Sequence, residues 1–84
     1  MTFRVRWSRE TKQQLAGIWL VASDRNAVTR ASNSIDKALA KDPHTAGQPL
    51  AEGLWKIEIM PLVAYFEIDE PNKTIHVNGI SYVP

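Results

Sequence analysis

The chain of 84 residues has no cysteine, no apolar run long enough to span a bilayer, and almost no imbalance of charge. Each absence removes a class of answer. Without cysteine there can be no disulfide, and the usual four-ligand zinc site is excluded as well. Only His44 and His76 remain as nitrogen ligands, so no metal is expected. A chain this short buries only about 60% of the surface its unfolded form exposes. Small domains offset that deficit with disulfides, metals or partners. With the first two removed, self-association or a protein partner is the expectation. Lack of cysteine fits a reducing compartment. The opening Met1–Trp7 alternates apolar with charged residues and lacks the apolar core of a signal peptide. No segment approaches the length of a membrane span. A soluble cytoplasmic protein, away from membranes, is therefore expected. No Gly-rich phosphate loop, paired metal-ligand spacing or nucleophile elbow occurs, and no cofactor is implied.

Ten Lys and Arg against nine Asp and Glu leave a net charge of +1, too balanced to argue for nucleic-acid binding by itself. The distribution says more. Arg4, Arg6, Arg9 and Lys12 crowd the start with only Glu10 opposing them, whereas Glu52 to Glu70 carries five acids and one base, Lys56.

The hydrophobic pattern predicts an α+β fold in a single domain over residues 1–84. Phe3, Val5 and Trp7 alternate with Arg4 and Arg6, the period of a strand with one buried face. Ser8 offers an N-cap and Glu10 an acid in the first turn. Leu15, Ile18, Trp19 and Ala22 then make one stripe of a helix over about Arg9 to Ala22. Gly17 costs this helix about 1 kcal/mol relative to Ala, which predicts close packing of a neighbouring element there. After Ser23–Asn26, where Asp24 or Asn26 can cap, Val28, Ala31, Ile35, Ala38 and Leu39 form a second stripe that ends at Asp42-Pro43. The two helices read as an antiparallel hairpin. Pro43 to Gly53 reads as one long loop.

Three strands come next in the pattern. Trp55, Ile57 and Ile59 alternate with Lys56 and Glu58, and Met60-Pro61 turns the chain. Leu62 to Ile68 is apolar enough for a central strand buried on both faces. Asp69–Lys73 is a turn cluster. Thr74 to Ile80 is the last strand, with Ile75 and Val77 on one face and His76 and Asn78 on the other. Asn78-Gly79 suits a hairpin turn, but only five residues come after it, which favours a bulge or a strand end. An N-terminal strand, a helical hairpin and a three-stranded antiparallel meander would form one twisted four-stranded sheet with the helices on one face. The other face is expected to be partly open and to receive a ligand or partner.

Several residues could carry chemistry on such a sheet. His76, inside a strand, could act as a general base, although a half-exposed strand histidine without catalytic duty is commoner. His44 reads as a solvated loop residue. Glu58 and Glu67 on adjacent strands could divide acid and base roles, or be two solvated charges. Trp7 and Trp19 read as core, and Trp55 is left open between core and a stacking platform. Arg4 and Arg6 on one strand face, with Lys56 and Lys73, could form a phosphate or nucleic-acid patch, or merely a solvated face.

The order strand, helical hairpin, loop and meander, with Leu54–Ile59 and Pro61–Asp69, resembles the RelE/ParE toxin superfamily. Val5-Arg6-Trp7-Ser8 and the later Leu15, Ile18 and Trp19 look like that family's first strand and helix, and Asp42-Pro43 to Pro49 like its pre-sheet loop. The likeness runs over nearly the whole chain. It implies the toxin component of a bacterial type II toxin–antitoxin (plasmid stabilisation-like) module. Members cleave mRNA in the ribosome or poison DNA gyrase, and an antitoxin wraps across the domain. In ribonuclease members, lysines and arginines around the sheet stabilise charge on the phosphate.

Carried over residue by residue, Lys56 matches a basic position on the first meander strand. Glu58 stands where a second lysine can occur, Val63 where an arginine is usual and Phe66 where a tyrosine is common. Ile80–Pro84 replaces a basic tail. A glutamate repels a phosphate and a valine donates no hydrogen bond. The resemblance therefore implies action mainly through protein binding, to an antitoxin or to a target such as gyrase. One alternative is a ribosome-associated mRNA endonuclease. It would use Lys56 with Arg4, Arg6 or His76, and Tyr82 as an acid or stacking group. Another is a non-catalytic interaction module or a homodimeric adaptor.

Overall fold

The structure, a computed structural model, describes residues 2–84; Met1 lies outside the described residues. Alternation in the first segment gives strand β1 (Arg4–Trp7), with Arg4 and Arg6 exposed and Val5 and Trp7 half-buried. Ser8 caps helix α1 (Arg9–Val21), its Oγ accepting from the Thr11 N–H at 3.1 Å. Asp24 caps helix α2 (Arg25–Lys41) by accepting from the Ala27 N–H at 3.0 Å. Val28, Ala31, Ile35 and Leu39 are buried along one face of α2, as their spacing predicts.

The expected long loop is instead two short elements. Pro43–Ala46 forms a helical turn, α3, capped by Asp42, and Gln48–Ala51 forms strand β2. Hydrogen bonds from the Thr45 hydroxyl and backbone N–H hold the Asp42 carboxyl below the ordinary Asp range. A two-residue turn, Glu52-Gly53, with Gly53 at φ 79°, folds β2 back onto β3 (Leu54–Ile59). Pro49 disguises β2 in the sequence, because it cannot donate to a ladder. Such a strand is tolerated at a sheet edge, and an edge is where β2 lies.

β4 (Leu62–Asp69) and β5 (Thr74–Tyr82) complete one five-stranded sheet of order β1-β5-β4-β3-β2. β1 runs parallel to β5 and the other pairs are antiparallel. The sheet thus has one strand more than the pattern predicts. Its helix-side face supplies Ile57, Leu62, Ala64, Phe66, Ile75, Val77 and Ile80 to a core completed by α2. β4 is buried on both faces only over Leu62–Ala64; beyond that, Tyr65 and Glu67 face outward and are more open.

A bulge interrupts β5. Tyr65 pairs with Gly79 but Phe66 pairs with Val77, so Asn78 is the extra residue. Alternation restarts one position late. Val77 and Ile80 both face the core, although they are three positions apart.

Gly17 does not mark a close approach. An added Cβ would find nothing within 4 Å, so the expected neighbour is absent. Close packing occurs at Gly47, where a Cβ would stand 2.5 Å from Phe66 Cζ.

Candidate functional site

Two surfaces offer themselves, one on each side of the molecule. The first is the open sheet face. Here Lys56 lies opposite Tyr65 in the register, and Tyr65 lies opposite Gly79. The Tyr65 ring packs across Gly79, where a Cβ would meet Cδ2 at 3.5 Å. Its hydroxyl lies 3.5 Å from Ser81 Oγ. Lys56 Nζ donates to Glu58 Oε1 at 2.7 Å. That hydrogen bond, reinforced by the opposite charge, holds Lys56 protonated above the ordinary lysine range. Lys56 is a cation already engaged by a neighbouring carboxylate.

The residues singled out from the sequence are dispersed. Arg6 lies beside His76 on the neighbouring strand, and Arg4 beside Thr74. Lys56 is three strand spacings from β1, about 14 Å at the usual inter-strand distance. His76 faces outward opposite Glu67. Tyr82 does not join it. The bulge turns Tyr82 to the helix-side face, where it packs against the core and lines a shallow pocket with Ser23, Asp24 and Ala27. Glu58 lies opposite Val63, four β4 positions from Glu67, or about 13 Å along the strand. The two acids do not form a pair, and Glu67 instead accepts from Asn78 Nδ2 at 2.7 Å.

His44 is not merely solvated. Its Nε2 lies 2.8 Å from Glu70 Oε1, and its ring meets Phe3 and Trp55 edge-on. Trp55 in turn stacks on Phe66, which places it against the core. Lys73 pairs with Glu70 and stands over the Phe3 ring.

The second surface is a groove of about 570 Å³ between α1 and α2, floored by Trp7, Leu15, Ala16, Trp19, Leu20 and Val28. It corrects the expectation that Trp19 is core, since Trp19 is 39% exposed and Leu20 62% exposed. Trp19 is nonetheless held. The Arg25 guanidinium lies 4.6 Å from its ring centroid, while Arg25 Nε and Nη2 donate to the carbonyls of Trp19 and Leu20, each at 3.0 Å. Arg25 thereby satisfies carbonyls at the end of a helix that has no basic residue in its own last turn. On the opposite wall, Trp7 Nε1 donates to Asp36 at 2.9 Å. Lys12 and Asp36 leave one charge of each sign in the lining.

Sequence reasoning missed this groove, yet a signal was present. Leu15, Ala16 and Ile18 to Ala22 make the second half of α1 apolar around most of its circumference, more than one core-facing stripe requires.

No family model and no curated protein matches the sequence. Solved structures do. A chain of the toxin–antitoxin complex RelBE2 from Mycobacterium tuberculosis superposes with a TM-score of 0.81 at 15% identity, over 98% of this chain and 99% of that one. A chain of the chromosomal ParDE toxin–antitoxin system from P. aeruginosa gives 0.74 at 20% identity, over 98% and 97%. The isolated E. coli RelE toxin gives 0.69 at 8% identity, over 98% and 85%, and it indicates that the shared fold is that of the toxin subunit.

The fold is that of the RelE/ParE toxins.

The α+β architecture expected from the pattern is thus present. The RelE/ParE fold here carries an open sheet face whose one central lysine is ion-paired, and a helical hairpin whose outer groove is apolar. Among the described residues, no helix is long and apolar enough to cross a membrane. Among the same residues, no group of three His, Asp or Glu side chains is placed to hold a metal ion.

Proposed function

We propose that this chain is a toxin-type component of a type II toxin–antitoxin module that acts through protein binding, in the first place to an antitoxin. The observation that carries this reading is the α1–α2 groove, with Trp19 pinned at its rim by Arg25. An apolar trough between two helices suits the apolar face of an amphipathic segment. Exposed but immobilised tryptophan is the kind of residue that dominates interface energetics. Support for an antitoxin as the occupant comes from the fold, since two of the similar structures are toxin–antitoxin assemblies. The same surface, vacated, would be available to a cellular target such as gyrase.

A ribonuclease role is less well supported. It needs unpaired cations grouped with Lys56 and Tyr82 around one phosphate, whereas Lys56 is held by Glu58, Arg6 and His76 stand three and two strands away from it, and Tyr82 lies on the opposite side of the sheet. A homodimeric adaptor would use the same groove against a second copy.

The decisive experiment is co-expression with the product of the adjacent short gene. Co-purification that is lost in Trp19→Ser/Leu20→Ser, with the fold intact by circular dichroism, is the expected result. No co-purifying product, together with no growth effect on expression, would overturn the reading. Cleaved transcripts after induction that disappear in Lys56→Ala would replace it with the nuclease.

A further inference from the structure

A second concavity lies on the same open face of the sheet as Lys56 but at the far edge, where the C-terminal end of β1 runs into α1. It encloses about 360 Å³ and is lined by Arg6, Trp7, Ser8, Arg9, His76 and Asn78. That volume falls at the lower end of small-ligand sites. Three of its six lining residues carry basic side chains. Among the described residues, neither Arg6 nor Arg9 has an ion-pair partner or a side-chain hydrogen bond, whereas Lys56 and Lys73 each have a carboxylate and Arg25 has two carbonyls.

The fold creates this juxtaposition. Arg6 and His76 are register partners on parallel strands and so point to the same face. The chain then bends at Ser8, whose N–H donates to the Val77 carbonyl at 3.1 Å, and Arg9 enters α1 beside them. Thr11 locks the bend through its hydroxyl, 3.2 Å from the same carbonyl. The backbone under the two arginines is therefore fixed, and the start of a 13-residue helix adds its positive end.

We infer that this pocket binds a phosphate group, with Arg6 and Arg9 clamping its oxygens from two sides and His76 donating from the wall. Guanidinium forks match phosphate geometry in a way that isolated ammonium groups do not. Arg4, two residues earlier on the same strand face, extends the positive stripe outward, so the phosphate can belong to a small ester or to a nucleic-acid backbone. Two acids stand next to its lining residues in register or sequence, outside the lining itself. Glu67 lies opposite His76 and is tethered by Asn78, and Glu10 sits in the first turn of α1. Their charge limits affinity and makes Glu67 a tuning residue. The inference stands apart from the antitoxin reading, because the groove and this pocket share only Trp7 in their linings.

The test is amide NMR titration of the full chain with inorganic phosphate and, separately, with a short oligouridylate carrying no terminal phosphate. Shifts centred on Arg6, Arg9 and His76 are expected with phosphate. They should weaken about tenfold or more in Arg6→Ala/Arg9→Ala, as loss of two charge-assisted contacts implies. They should strengthen in Glu67→Gln and remain unchanged in Arg30→Ala. The same shifts with the oligonucleotide assign the site to a nucleic-acid backbone; their absence with it assigns the site to small phosphate compounds. No shifts with either ligand, or shifts that survive in the double variant, would overturn the inference. The two arginines are exposed, so loss of fold is not expected, and circular dichroism of the double variant checks this.

Discussion

Arg25 stands over Trp19. Its guanidinium is 4.6 Å from the indole centroid and donates to the carbonyls of Trp19 and Leu20, so one side chain both finishes α1 and fixes the tryptophan on the groove rim. Removing it in Arg25→Ala should leave the core intact and mobilise the indole. The Trp19 Nε1–H signal should broaden or shift in NMR spectra while those of Trp7 and Trp55 stay in place. Binding of any groove partner should weaken about tenfold, the equivalent of a contact of about 1.4 kcal/mol. An unchanged Trp19 signal would show that packing, not Arg25, holds the ring.

Thr11 is fully buried, and its hydroxyl reaches the Val77 carbonyl at 3.2 Å. Thr11→Val keeps the shape and loses this bond and the 2.6 Å hydrogen bond with Ser8 Oγ, while the carbonyl retains the Ser8 N–H. The expected cost is about 1 kcal/mol. For a domain of this size that corresponds to a melting temperature lower by roughly 4–8 °C, measurable by thermal denaturation.

Two glycines should respond oppositely to alanine. Gly17→Ala adds a methyl group to open space on an exposed helix and should stabilise by about 0.5–1 kcal/mol. Gly47→Ala drives a methyl group into the buried Phe66 ring and should destabilise by about 1–3 kcal/mol. Urea denaturation of the two variants would show the opposite signs.

Lys56 should titrate above the ordinary lysine value of 10.5, because its hydrogen bond to Glu58 favours the charged form. A raised folded-state value means that the pair contributes fully below pH 10.5 and that its contribution disappears as pH rises through the raised value. In Glu58→Gln the Lys56 titration, followed by NMR at the ε-methylene, should move back toward 10.5. A midpoint that does not move would mean that the carboxylate is not the cause.

Much of this molecule was legible in the sequence because local chemistry dictates it. The caps at Ser8 and Asp24, the buried stripe of α2 and the alternation of β1 and β3 depend on residues one to four positions apart. The candidate sites were less legible, because they depend on which segments meet. Strand β2 was hidden by Pro49, whose missing N–H argues against a strand until the edge position is known. The α1–α2 groove was hidden because Trp19 looks like a core residue until the packing of the two helices leaves it at the rim.

Tyr82 shows the boundary between the two. Uninterrupted period-2 alternation puts His76 and Tyr82 on one face; Asn78-Gly79 signals a bulge or a strand end, but not which of the two, and the face of Tyr82 depends on that. The extra residue at Asn78 reverses the parity of everything after it, sending Ile80 and Tyr82 to the core side. Composition, capping and periodicity by themselves determined that this chain forms helices and strands in this order, since those are short-range effects of side-chain shape and backbone hydrogen bonding. Only the tertiary structure decided which side chains share a surface. A one-residue shift in strand pairing costs little locally, but it reassigns each later side chain to the opposite face.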